Sequence, residues 1–476
     1  MSNFRWVICA LLFFATTVNY LDRQVLSLTW KDFISPEFGW TDNDYGTITA
    51  VFSIIYALCN LFAGKFIDKL GTKKGYLWAI FIWSLGACLH AGCGVGTSAL
   101  KAAGFVAMMG ITASVWLFLA CRAVLALGEA GNFPAAIKVT AEYFPKKDRA
   151  FATSIFNSGS SVGALAAPLT IPIIAKFWGW EMAFIVIGAL GFVWMGFWVW
   201  LYKKPAENPR VNAAELKYIN QDEGSSEQSS DVKSDADAPK ISYGKAFSLR
   251  QTWSLVFGRF LTDGVWWFFL FWTPGYFSDQ FGYKSGTVEN SVLIFSLYAI
   301  VTFVSIGLCK IPTYMVDKRG MNAYEGRMVA MFIFACFPLL ALGAQPLGVF
   351  GSALAVNMQK FLAAMGVAVL IGLACAGHQA WSANVYSVVG DMFPKSTIGT
   401  LTGIAQFAAG CGSFRVNKCA GKLFTYAADK GDAFAFCGYT GKPAGYMVLF
   451  SYCAVAYIIG WCFMKGLVPH YKKVEL

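Results

Sequence analysis

Residues 64–74 read Gly-Lys-Phe-Ile-Asp-Lys-Leu-Gly-Thr-Lys-Lys, a polar stretch between two long apolar runs. Part of this stretch recurs, because Asp68-Lys69-Leu70-Gly71 returns as Asp317-Lys318-Arg319-Gly320, 249 residues further along the chain. A second match has the same offset, since Glu142-Tyr143-Phe144-Pro145-Lys146 returns as Asp391-Met392-Phe393-Pro394-Lys395. Two matches at one spacing indicate that the chain contains two copies of one unit in parallel orientation.

The apolar runs around these loops are long enough to cross a lipid bilayer. Of the 476 residues, 57% are hydrophobic and only 14% are charged. Backbone groups in lipid must bond within their own helix, and about 20 apolar residues span the hydrocarbon core. The sequence therefore predicts an all-α polytopic membrane protein with twelve transmembrane helices in two parallel six-helix repeats. The predicted spans are residues 4–29, 46–66, 76–94, 112–138, 150–175, 180–202, 254–278, 288–314, 326–346, 360–389, 396–424 and 444–465.

A polar segment separates the two predicted repeats. The apolar runs stop between residues 203 and 250, and residues 224–231 read Gly-Ser-Ser-Glu-Gln-Ser-Ser-Asp. This composition is typical of a solvated, flexible linker. We therefore divide the chain into an N-terminal six-helix half (1–202), a cytoplasmic linker (203–250) and a C-terminal six-helix half (251–476).

The lysine and arginine content of the loops predicts the orientation in the membrane, because basic residues are retained on the cytoplasmic side during insertion. With the N-terminus inside, the short inward segments hold seventeen such residues and the outward segments hold eight. Both termini are therefore predicted to be cytoplasmic. The net charge of +11 then reflects topology and contact with anionic lipids, not nucleic-acid binding. The first span contains Asp22 and Arg23 and lacks a following cleavage site, so we interpret it as a retained helix.

Four charged residues are predicted to lie inside the membrane: Asp22, Arg23, Arg122 and Glu129. A charge at the bilayer centre costs about 3 kcal/mol, so each needs a partner or a function. Arg122 and Glu129 are two helical turns apart, about 10 Å on one face, so both can line a cavity with room for a ligand. Arginine binds carboxylates through two parallel hydrogen bonds, and a neighbouring acid can take up a proton. Alternatively, the charges only pair with one another and fix helix packing.

The offset of 249 residues aligns this site with polar residues of the C-terminal half. Gly128-Glu129 corresponds to Gly377-His378, and Asn157 corresponds to Gln406. Hydroxylated ligands use hydrogen-bonding groups and aromatic faces of the kind found there. The residues predicted to supply them are His378, Gln379, Trp381, Ser382 and Asn384. A single histidine in a helix is also often a structural hydrogen-bonding residue, so both roles for His378 stay open.

These motifs resemble a known family. The pattern Gly64-x-x-x-Asp68-x-x-Gly71-x-Lys73-Lys74 resembles the signature loop of the major facilitator superfamily, where an acid beside clustered bases can act as a charge latch. Three further stretches resemble its anion:cation symporter branch, and within it the bacterial hexuronate and galactonate transporters. They are Asn-Tyr-Leu-Asp-Arg (19–23), Cys-Arg-Ala-Val-Leu-Ala-Leu-Gly-Glu-Ala-Gly-Asn-Phe-Pro (121–134) and Phe-Asn-Ser-Gly-Ser-Ser-Val-Gly (156–163).

The resemblance implies H⁺-coupled import of a sugar acid such as glucuronate or galacturonate across the bacterial inner membrane. We expect a functional monomer in the lipid bilayer. Together with the repeat, the resemblance gives a set of candidate site residues. Those predicted for substrate binding are Arg23, Arg122, Tyr20, Tyr56, Asn157, His378, Gln379, Trp381 and Gln406; for proton coupling, Asp22 and Glu129; for gating, Asp68, Lys73 and Asp317.

Other substrates and functions stay open from the sequence. The anion can be galactonate, another aldonate or another carboxylate, and coupling to Na⁺ is an alternative to coupling to H⁺. A membrane sensor that does not transport could share the fold, although residues 203–250 contain no recognisable output domain. An enzyme is disfavoured, because the sequence has no recognisable nucleophile with a base, metal cluster or phosphate loop. We expect no cofactor, no metal ion and no nucleic-acid partner.

Three cations in the predicted eleventh span do not fit the resemblance. Arg415, Lys418 and Lys422 lie on one helix face, at positions i, i+3 and i+7. Either they form an electropositive funnel that concentrates anions, or the helix ends early and they are solvated. Arg259 and Asp263, at i and i+4, are interpreted as a stabilising pair, with a role in the site as the alternative.

Overall fold

The chain forms two compact units of packed helices. The computed structural model describes residues 2–105, 107–108, 110–221, 242–393, 397–472 and 474. Unit 1 comprises Met1–Val25, Leu58–Ala167 and Phe177–Ala238, and unit 2 comprises Leu26–Ala57, Pro168–Lys176 and Pro239–Leu476. Residues 222–241 of the predicted linker lie outside the described residues, as do Pro394 and Lys395 of the second repeated motif.

Almost all of the described secondary structure is α-helical. The helices up to residue 221 are α1 (Phe4–Thr29), α2 (Ser35–Phe38), α3 (Asp42–Leu70), α4 (Thr72–His90), α5 (Cys93–Ala102), α6 (Ala113–Glu129), α7 (Asn132–Tyr143), α8 (Lys146–Trp178), α9 (Trp180–Leu201) and α10 (Ala213–Ile219). A π-helical turn, Trp30–Ile34, joins α1 to α2. A short hairpin of strands β1 (Ala107–Met108) and β2 (Ile111–Thr112) precedes α6.

The helices after residue 241 complete the list. They are α11 (Tyr243–Phe247), α12 (Arg250–Phe260), α13 (Asp263–Phe281), α14 (Val288–Leu308), α15 (Ile311–Arg319), α16 (Ala323–Cys336), α17 (Ala344–Ser352), α18 (Asn357–Met392), α19 (Ile398–Lys430) and α20 (Gly441–Leu467). Strands β3 (Ala435–Phe436) and β4 (Tyr439–Thr440) form a second hairpin between α19 and α20.

The helices agree with the predicted membrane spans. Each of the twelve predicted spans falls on one of these helices or on a run of neighbouring helices. In the ninth, a 3₁₀-helix, Phe337–Gly343, joins α16 to α17. Ten segments of the described chain are long and apolar enough to cross a membrane, and eleven if α4 and α5, bent by 60°, form one span. The predicted span at 396–424 is helical in α19 but is not among them. The protein is therefore a polytopic helical membrane protein.

The two repeated motifs end helices at equivalent positions. Gly71 follows α3 with φ +77°, and Gly320 follows α15 with φ +65°. Only glycine adopts such angles without strain, which explains why both copies carry it. In the other motif, α7 ends at Tyr143 and α18 ends at Met392, again 249 residues apart. The local structure at these loops thus agrees with the duplication.

A glycine contact in unit 1 fixes α6 against α4. A Cβ placed on Gly128 would lie 2.3 Å from the backbone nitrogen of Trp83, and one on Gly86 would lie 2.6 Å from the backbone nitrogen of Leu125. The two helix backbones therefore approach each other more closely than any side chain would permit. This contact fixes the position of Glu129, which follows Gly128 directly.

The beginning of the predicted linker is folded onto the N-terminus of α1. The carboxylate of Glu215, in α10, accepts hydrogen bonds from the backbone N–H groups of Phe4 and Arg5 at 3.0 and 3.1 Å. The Arg5 guanidinium lies 3.2 Å from the same carboxylate, and the Ser2 hydroxyl also donates to it. An acid at this position satisfies free N–H groups and complements the helix dipole.

Replacing Glu215 tests this contact through pH. Burial raises the pKa of Glu215, but the hydrogen bonds from Ser2, Arg5 and Phe4 outweigh burial and hold the pKa below its ordinary value. The carboxylate therefore stabilises the fold above about pH 4.3, and this contribution is lost as the pH falls through the lowered pKa. We expect Glu215→Gln to lose about 1 to 2 kcal/mol of stability at pH 7. In thermal denaturation the deficit should shrink toward acid pH, and the exposed neighbour variant Glu207→Gln should show no deficit.

Candidate functional site

A buried ion pair in unit 1 joins α1 to the end of α6. Arg23 lies in α1, and Glu129 is the last residue of α6. The Nη2 and Nε atoms of Arg23 donate to Oε2 of Glu129 at 2.7 and 3.0 Å. Arg23 is 4% exposed and Glu129 is 1% exposed. Charge-assisted hydrogen bonds of this length are strong in a low-dielectric surrounding. The structure thus pairs a predicted substrate-binding arginine with a predicted proton carrier.

Four polar atoms of α1 next to this pair are buried and have no hydrogen-bond partner among the described residues. They are both carboxylate oxygens of Asp22 and both amide atoms of Asn19, one turn earlier in the helix. Folded proteins leave few buried polar atoms unpaired, because each costs about 1 to 3 kcal/mol. These atoms fit a site that holds a proton or a polar ligand. Asn19 was not among the residues selected from the sequence.

Asp22 and Arg122 extend the ion pair to a cluster of four charges. Both Arg122 and Glu129 lie within electrostatic range of Asp22, and Arg122 is 3% exposed on α6. Two guanidinium groups and two carboxylates give the fully ionised cluster a net charge of zero. Structural pairing accounts for Arg23 and Glu129. It does not account for Asp22, whose oxygens have no hydrogen-bond partner in the part of the chain described.

The Tyr20 ring contacts the cluster, and two other buried side chains of unit 1 are hydrogen-bonded to each other. The Arg23 guanidinium carbon is 5.1 Å from the centre of the Tyr20 ring, which is the distance of a cation–π contact. The Tyr76 hydroxyl donates to Oδ1 of the buried Asn132 at 2.7 Å, at the start of α7. Tyr76 is not among the residues predicted from the sequence. Asn157, which is among them, has an exposed side chain on α8.

In unit 2, His378 is held by hydrogen bonding and ring stacking. Its Nδ1 lies 2.7 Å from the hydroxyl of Tyr457. That hydroxyl donates to the backbone carbonyl oxygen of Thr262 at 3.1 Å. The imidazole stacks on Trp266, with ring centroids 5.2 Å apart and planes 8° apart. His378 therefore lies beside the break between α12 and α13.

A second buried ion pair lies at the same break. The Nε atom of Arg259 is 3.0 Å from Oδ2 of Asp263, which confirms the predicted i, i+4 pair. Arg259 also donates to the hydroxyl of Ser382 on α18. The indole N–H of the buried Trp381 donates to the carbonyl oxygen of Gly258 at 3.2 Å. The predicted aromatic residue of this group is thus fixed to the backbone of α12.

The remaining predicted substrate residues are also in unit 2. Tyr56, Gln379 and Gln406 are half-buried. Tyr56 packs against Phe52 and Trp267, with ring centroids 6.0 and 6.3 Å apart. The predicted residues therefore form two groups: Tyr20, Asp22, Arg23, Arg122, Glu129 and Asn157 in unit 1, and Tyr56, His378, Gln379, Trp381 and Gln406 in unit 2.

The residues predicted for gating lie at helix ends. Asp68, at the end of α3, accepts a hydrogen bond from Lys138 of α7 at 2.7 Å. Lys73 donates to the carbonyl oxygen of Val199 at 3.3 Å. Asp317 is exposed near the end of α15. Lys138 was not predicted from the sequence to be the partner of Asp68.

Four charges of unit 2 form a network that the sequence analysis missed. Lys31, in the π-helical turn, lies 2.9 Å from Asp279 and 3.7 Å from Asp42. Lys442 lies 2.6 Å from Asp279 and 2.8 Å from Asp42. The Tyr446 hydroxyl also donates to Asp279, at 2.9 Å. Each lysine thus contacts both aspartates, and the neutral network connects the ends of α1 and α3 to α13 and α20.

Small residues bring the first half of α3 against α19. A Cβ placed on Gly421 would lie 2.6 Å from the backbone oxygen of Asp42, and one on Gly46 would lie 2.8 Å from the Cα of Gly421. The hydroxyl groups of Ser53 and Ser413 are hydrogen-bonded at 2.8 Å across the same contact. The two backbones therefore touch at the glycines, where no side chain separates them.

Two of the three cations of α19 donate hydrogen bonds to identified partners, and the third, Lys422, is exposed. Lys418 donates to Oδ1 of Asn43 at 3.1 Å and to the hydroxyl of Thr47. Arg415 donates to the Tyr452 hydroxyl at 2.7 Å. The proposal that this helix ends before them is wrong, since α19 continues to Lys430. Lys418 thus contributes to the contact between α3 and α19.

Comparison with known proteins gives one family for most of the chain. The sequence model described as Major Facilitator Superfamily matches residues 12–414. The probable galactarate/D-glucarate transporter GarP of Escherichia coli (strain K12) is 30% identical over 334 residues, 69% of this chain and 71% of that protein. The hexuronate transporter of the same strain is 28% identical over 418 residues, 86% of this chain and 85% of that protein. A solved D-xylose-proton symporter matches with a TM-score of 0.66 at 15% identity, covers 99% of both chains and shares the fold.

Proposed function

Because this chain belongs to the Major Facilitator Superfamily, we propose that it is a secondary transporter that imports a sugar acid anion together with H⁺. The proposed substrate is a hexuronate such as glucuronate or galacturonate. The proposed location is the bacterial inner membrane, with both termini in the cytoplasm. The observation that carries the coupling is the buried charge cluster of unit 1, in which Asp22 has no hydrogen-bond partner among the described residues.

Charge balance in this cluster links the anion to a proton. The four ionised side chains sum to zero, and an uncompensated charge in a buried site costs several kcal/mol. A bound monoanion adds one negative charge, so neutrality is restored when one carboxylate takes up one proton. Import of at least one proton with each monoanion follows from this argument.

Glu129 is the carboxylate that directly competes with the substrate. Its Oε2 accepts both hydrogen bonds from the fork of Arg23. Protonation removes the charge of Glu129 and weakens these bonds, which makes Arg23 available to a substrate carboxylate. Asp22 is a second proton acceptor. It directly precedes Arg23 in the sequence and is electrostatically coupled to Glu129. Anion binding and protonation thus favour each other, as reciprocal linkage requires.

The sugar acid class is supported by the relatives and by the polar groups of unit 2. The relatives named above are described as transporters of hexuronate and of galactarate or D-glucarate. His378 and Gln379 provide groups that bind hydroxyls, and Tyr56 provides an aromatic surface. Asp68, Lys73 and Asp317 are proposed as gating residues because they lie at helix ends in the duplicated loops.

A fluorescence experiment tests coupling to protons. Proteoliposomes that contain a trapped pH dye should acidify inside when galacturonate is added outside without an imposed gradient. Entry of labelled galacturonate without acidification would contradict H⁺ coupling, and dependence of entry on Na⁺ would assign Na⁺ as the coupling ion. Binding without entry would indicate a sensor.

Arg122→Lys tests the anion site. A lysine keeps the positive charge but lacks the planar fork that forms two parallel hydrogen bonds with a carboxylate. We expect a loss of affinity of about 10-fold or more, since one charge-assisted hydrogen bond contributes about 1.5 to 3 kcal/mol. Ligand-dependent thermal stabilisation measures the affinity. The control is Arg250→Lys, at an exposed position. Unchanged affinity in Arg122→Lys would place the carboxylate elsewhere.

A further inference from the structure

The hydrogen bonds around His378 favour one of its two nitrogens as the site of the proton. Tyr457 has one hydroxyl hydrogen, and its oxygen lies 3.1 Å from the Thr262 carbonyl oxygen and 2.7 Å from Nδ1 of His378. The Thr262 carbonyl oxygen can only accept, and it also accepts from the backbone N–H groups of Val265 and Trp266. We assign the tyrosine hydrogen to Thr262, because this arrangement makes a hydrogen bond of both contacts of the hydroxyl. The hydroxyl oxygen then accepts from His378. The proton of the neutral imidazole is therefore on Nδ1, and Nε2 has a lone pair.

The ring is held in place while Nε2 stays available. Trp266 stacks on one face of the imidazole, and Tyr457 packs edge-on at a centroid distance of 6.0 Å. His378 is 4% exposed. Within the described part of the chain, Nε2 has no hydrogen-bond partner, although the residue is more than nine-tenths buried. At pH values above its ordinary pKa of about 6.5, a histidine is mostly neutral, so Nε2 is an acceptor.

We propose that Tyr457 is a positioning residue that makes His378 Nε2 an acceptor for a sugar hydroxyl and thereby selects monoacids over diacids. The proposal rests on the proposed function, since it assumes that a sugar acid binds beside His378. A hydroxyl at this position donates to Nε2. A carboxylate has no hydrogen to donate, and its oxygens meet the lone pair, so a buried acceptor is left unpaired. The site therefore distinguishes a hydroxyl from a carboxylate at the end of the substrate that lies beside His378.

The cation near His378 is already matched by an acid. Arg259 lies within electrostatic range of His378, but it is paired with Asp263 and donates to Ser382. A carboxylate placed beside His378 would have to compete with Asp263 for this guanidinium. The ion pair thus reinforces the selection against a second carboxylate.

Galacturonate and galactarate serve as the two probes, because they share the configuration at C2 to C5. C1 is closed onto O5 as a ring hemiacetal in galacturonate, and it is a carboxylate in galactarate, which is an open-chain dianion. We expect the wild-type protein to bind galacturonate at least 10-fold more tightly than galactarate. In Tyr457→Phe, His378 loses its acceptor at Nδ1 and can place its proton on Nε2, which then donates to a carboxylate. The preference for galacturonate over galactarate should fall about 10-fold, which is the usual effect of one hydrogen bond on a binding constant.

Competition of the two acids for labelled galacturonate uptake measures this preference in proteoliposomes. A purely structural Tyr457 would change the amount of folded protein or the maximal rate, but not the ratio of the two inhibition constants. An unchanged ratio in folded Tyr457→Phe would overturn the proposal. If the wild-type protein binds neither acid, the proposed function fails first, and the two failures are therefore distinguishable.

A second pair of variants separates the two nitrogens of His378. Asparagine can place its amide nitrogen where Nδ1 lies and keep the bond to Tyr457, but it has no group at Nε2. Glutamine can place its amide near Nε2 but not at Nδ1. We expect His378→Asn to melt near the wild-type temperature and to lose galacturonate affinity about 10-fold, and His378→Gln to retain more affinity. Wild-type affinity in His378→Asn would show that only the bond to Tyr457 matters and would overturn the proposal.

Discussion

Glu129→Gln should abolish accumulation driven by a proton gradient and preserve exchange of substrate across the membrane. Glutamine keeps the size of the side chain and one acceptor for Arg23, but it cannot ionise. The cluster then carries a permanent positive charge that a bound anion neutralises without a proton. Binding and exchange of substrate therefore continue. A proton gradient of about 2.7 kcal/mol would support a substrate concentration 100-fold or more higher inside the vesicle than outside, and in the variant this ratio should fall to about one.

Two assays on the same vesicles separate these effects. Counterflow of labelled against unlabelled substrate measures exchange, and an imposed pH gradient measures accumulation. Glu289→Gln, which changes an exposed glutamate of α14, is the matched control and should behave as wild type. If Glu129→Gln still accumulates substrate, the pair with Arg23 is structural and Asp22 alone carries the proton. If exchange is lost as well, the pair is needed for folding or binding.

Gly421→Ala should slow transport about 10-fold or more without a matching loss of substrate affinity. The added methyl would lie 2.6 Å from the backbone oxygen of Asp42 and 3.0 Å from the Cα of Asn43. Neither backbone atom can move without displacing α3 from α19. Overpacking of this kind costs about 1 to 3 kcal/mol, and it penalises only the state in which the two helices touch. A transporter that alternates between states would then spend most of its time in the other one.

Hydrogen exchange measures the displacement directly. We expect faster exchange in residues 42–57 of Gly421→Ala, together with wild-type affinity in the thermal-shift assay. Gly307→Ala is the control, since a Cβ at Gly307 in α14 meets nothing within 4 Å. Slow transport together with an unchanged rate of hydrogen exchange would mean that the contact between α3 and α19 does not open during the transport cycle.

The helices could be predicted from the sequence because the determining signal is local. A run of about 20 apolar residues must be helical in lipid whatever its neighbours are, and the loop glycines at 71 and 320 have the positive φ that repeated turns require. The π-helical turn at Trp30–Ile34 was missed, since the sequence analysis ended the helix at residue 29. Trp30, the first residue of this turn, stacks on Tyr45 of α3, with ring centroids 4.0 Å apart, and no local sequence pattern encodes this contact.

Partners distant in sequence could not be predicted. Arg23 pairs with Glu129, and Lys31 with Asp279, across separations that no helical period encodes. The sequence identified Arg23 and Glu129 as important because charges are rare inside membranes, but not as partners. Lys31 and Lys442 were counted only among the basic residues of the loops, and Asp42 was not selected. Asn19 is part of the 19–23 stretch that carries the family resemblance, but it was not selected as a site residue, because a neutral amide within an apolar helix is not rare.

Accumulation under an imposed proton gradient decides whether a sugar acid and H⁺ move together. Proteoliposomes with an alkaline interior should concentrate labelled galacturonate or glucuronate above the external level, and a protonophore should collapse the gradient and release the label. Failure to accumulate either acid or a related aldonate, with a proton gradient or with a sodium gradient, would contradict the account.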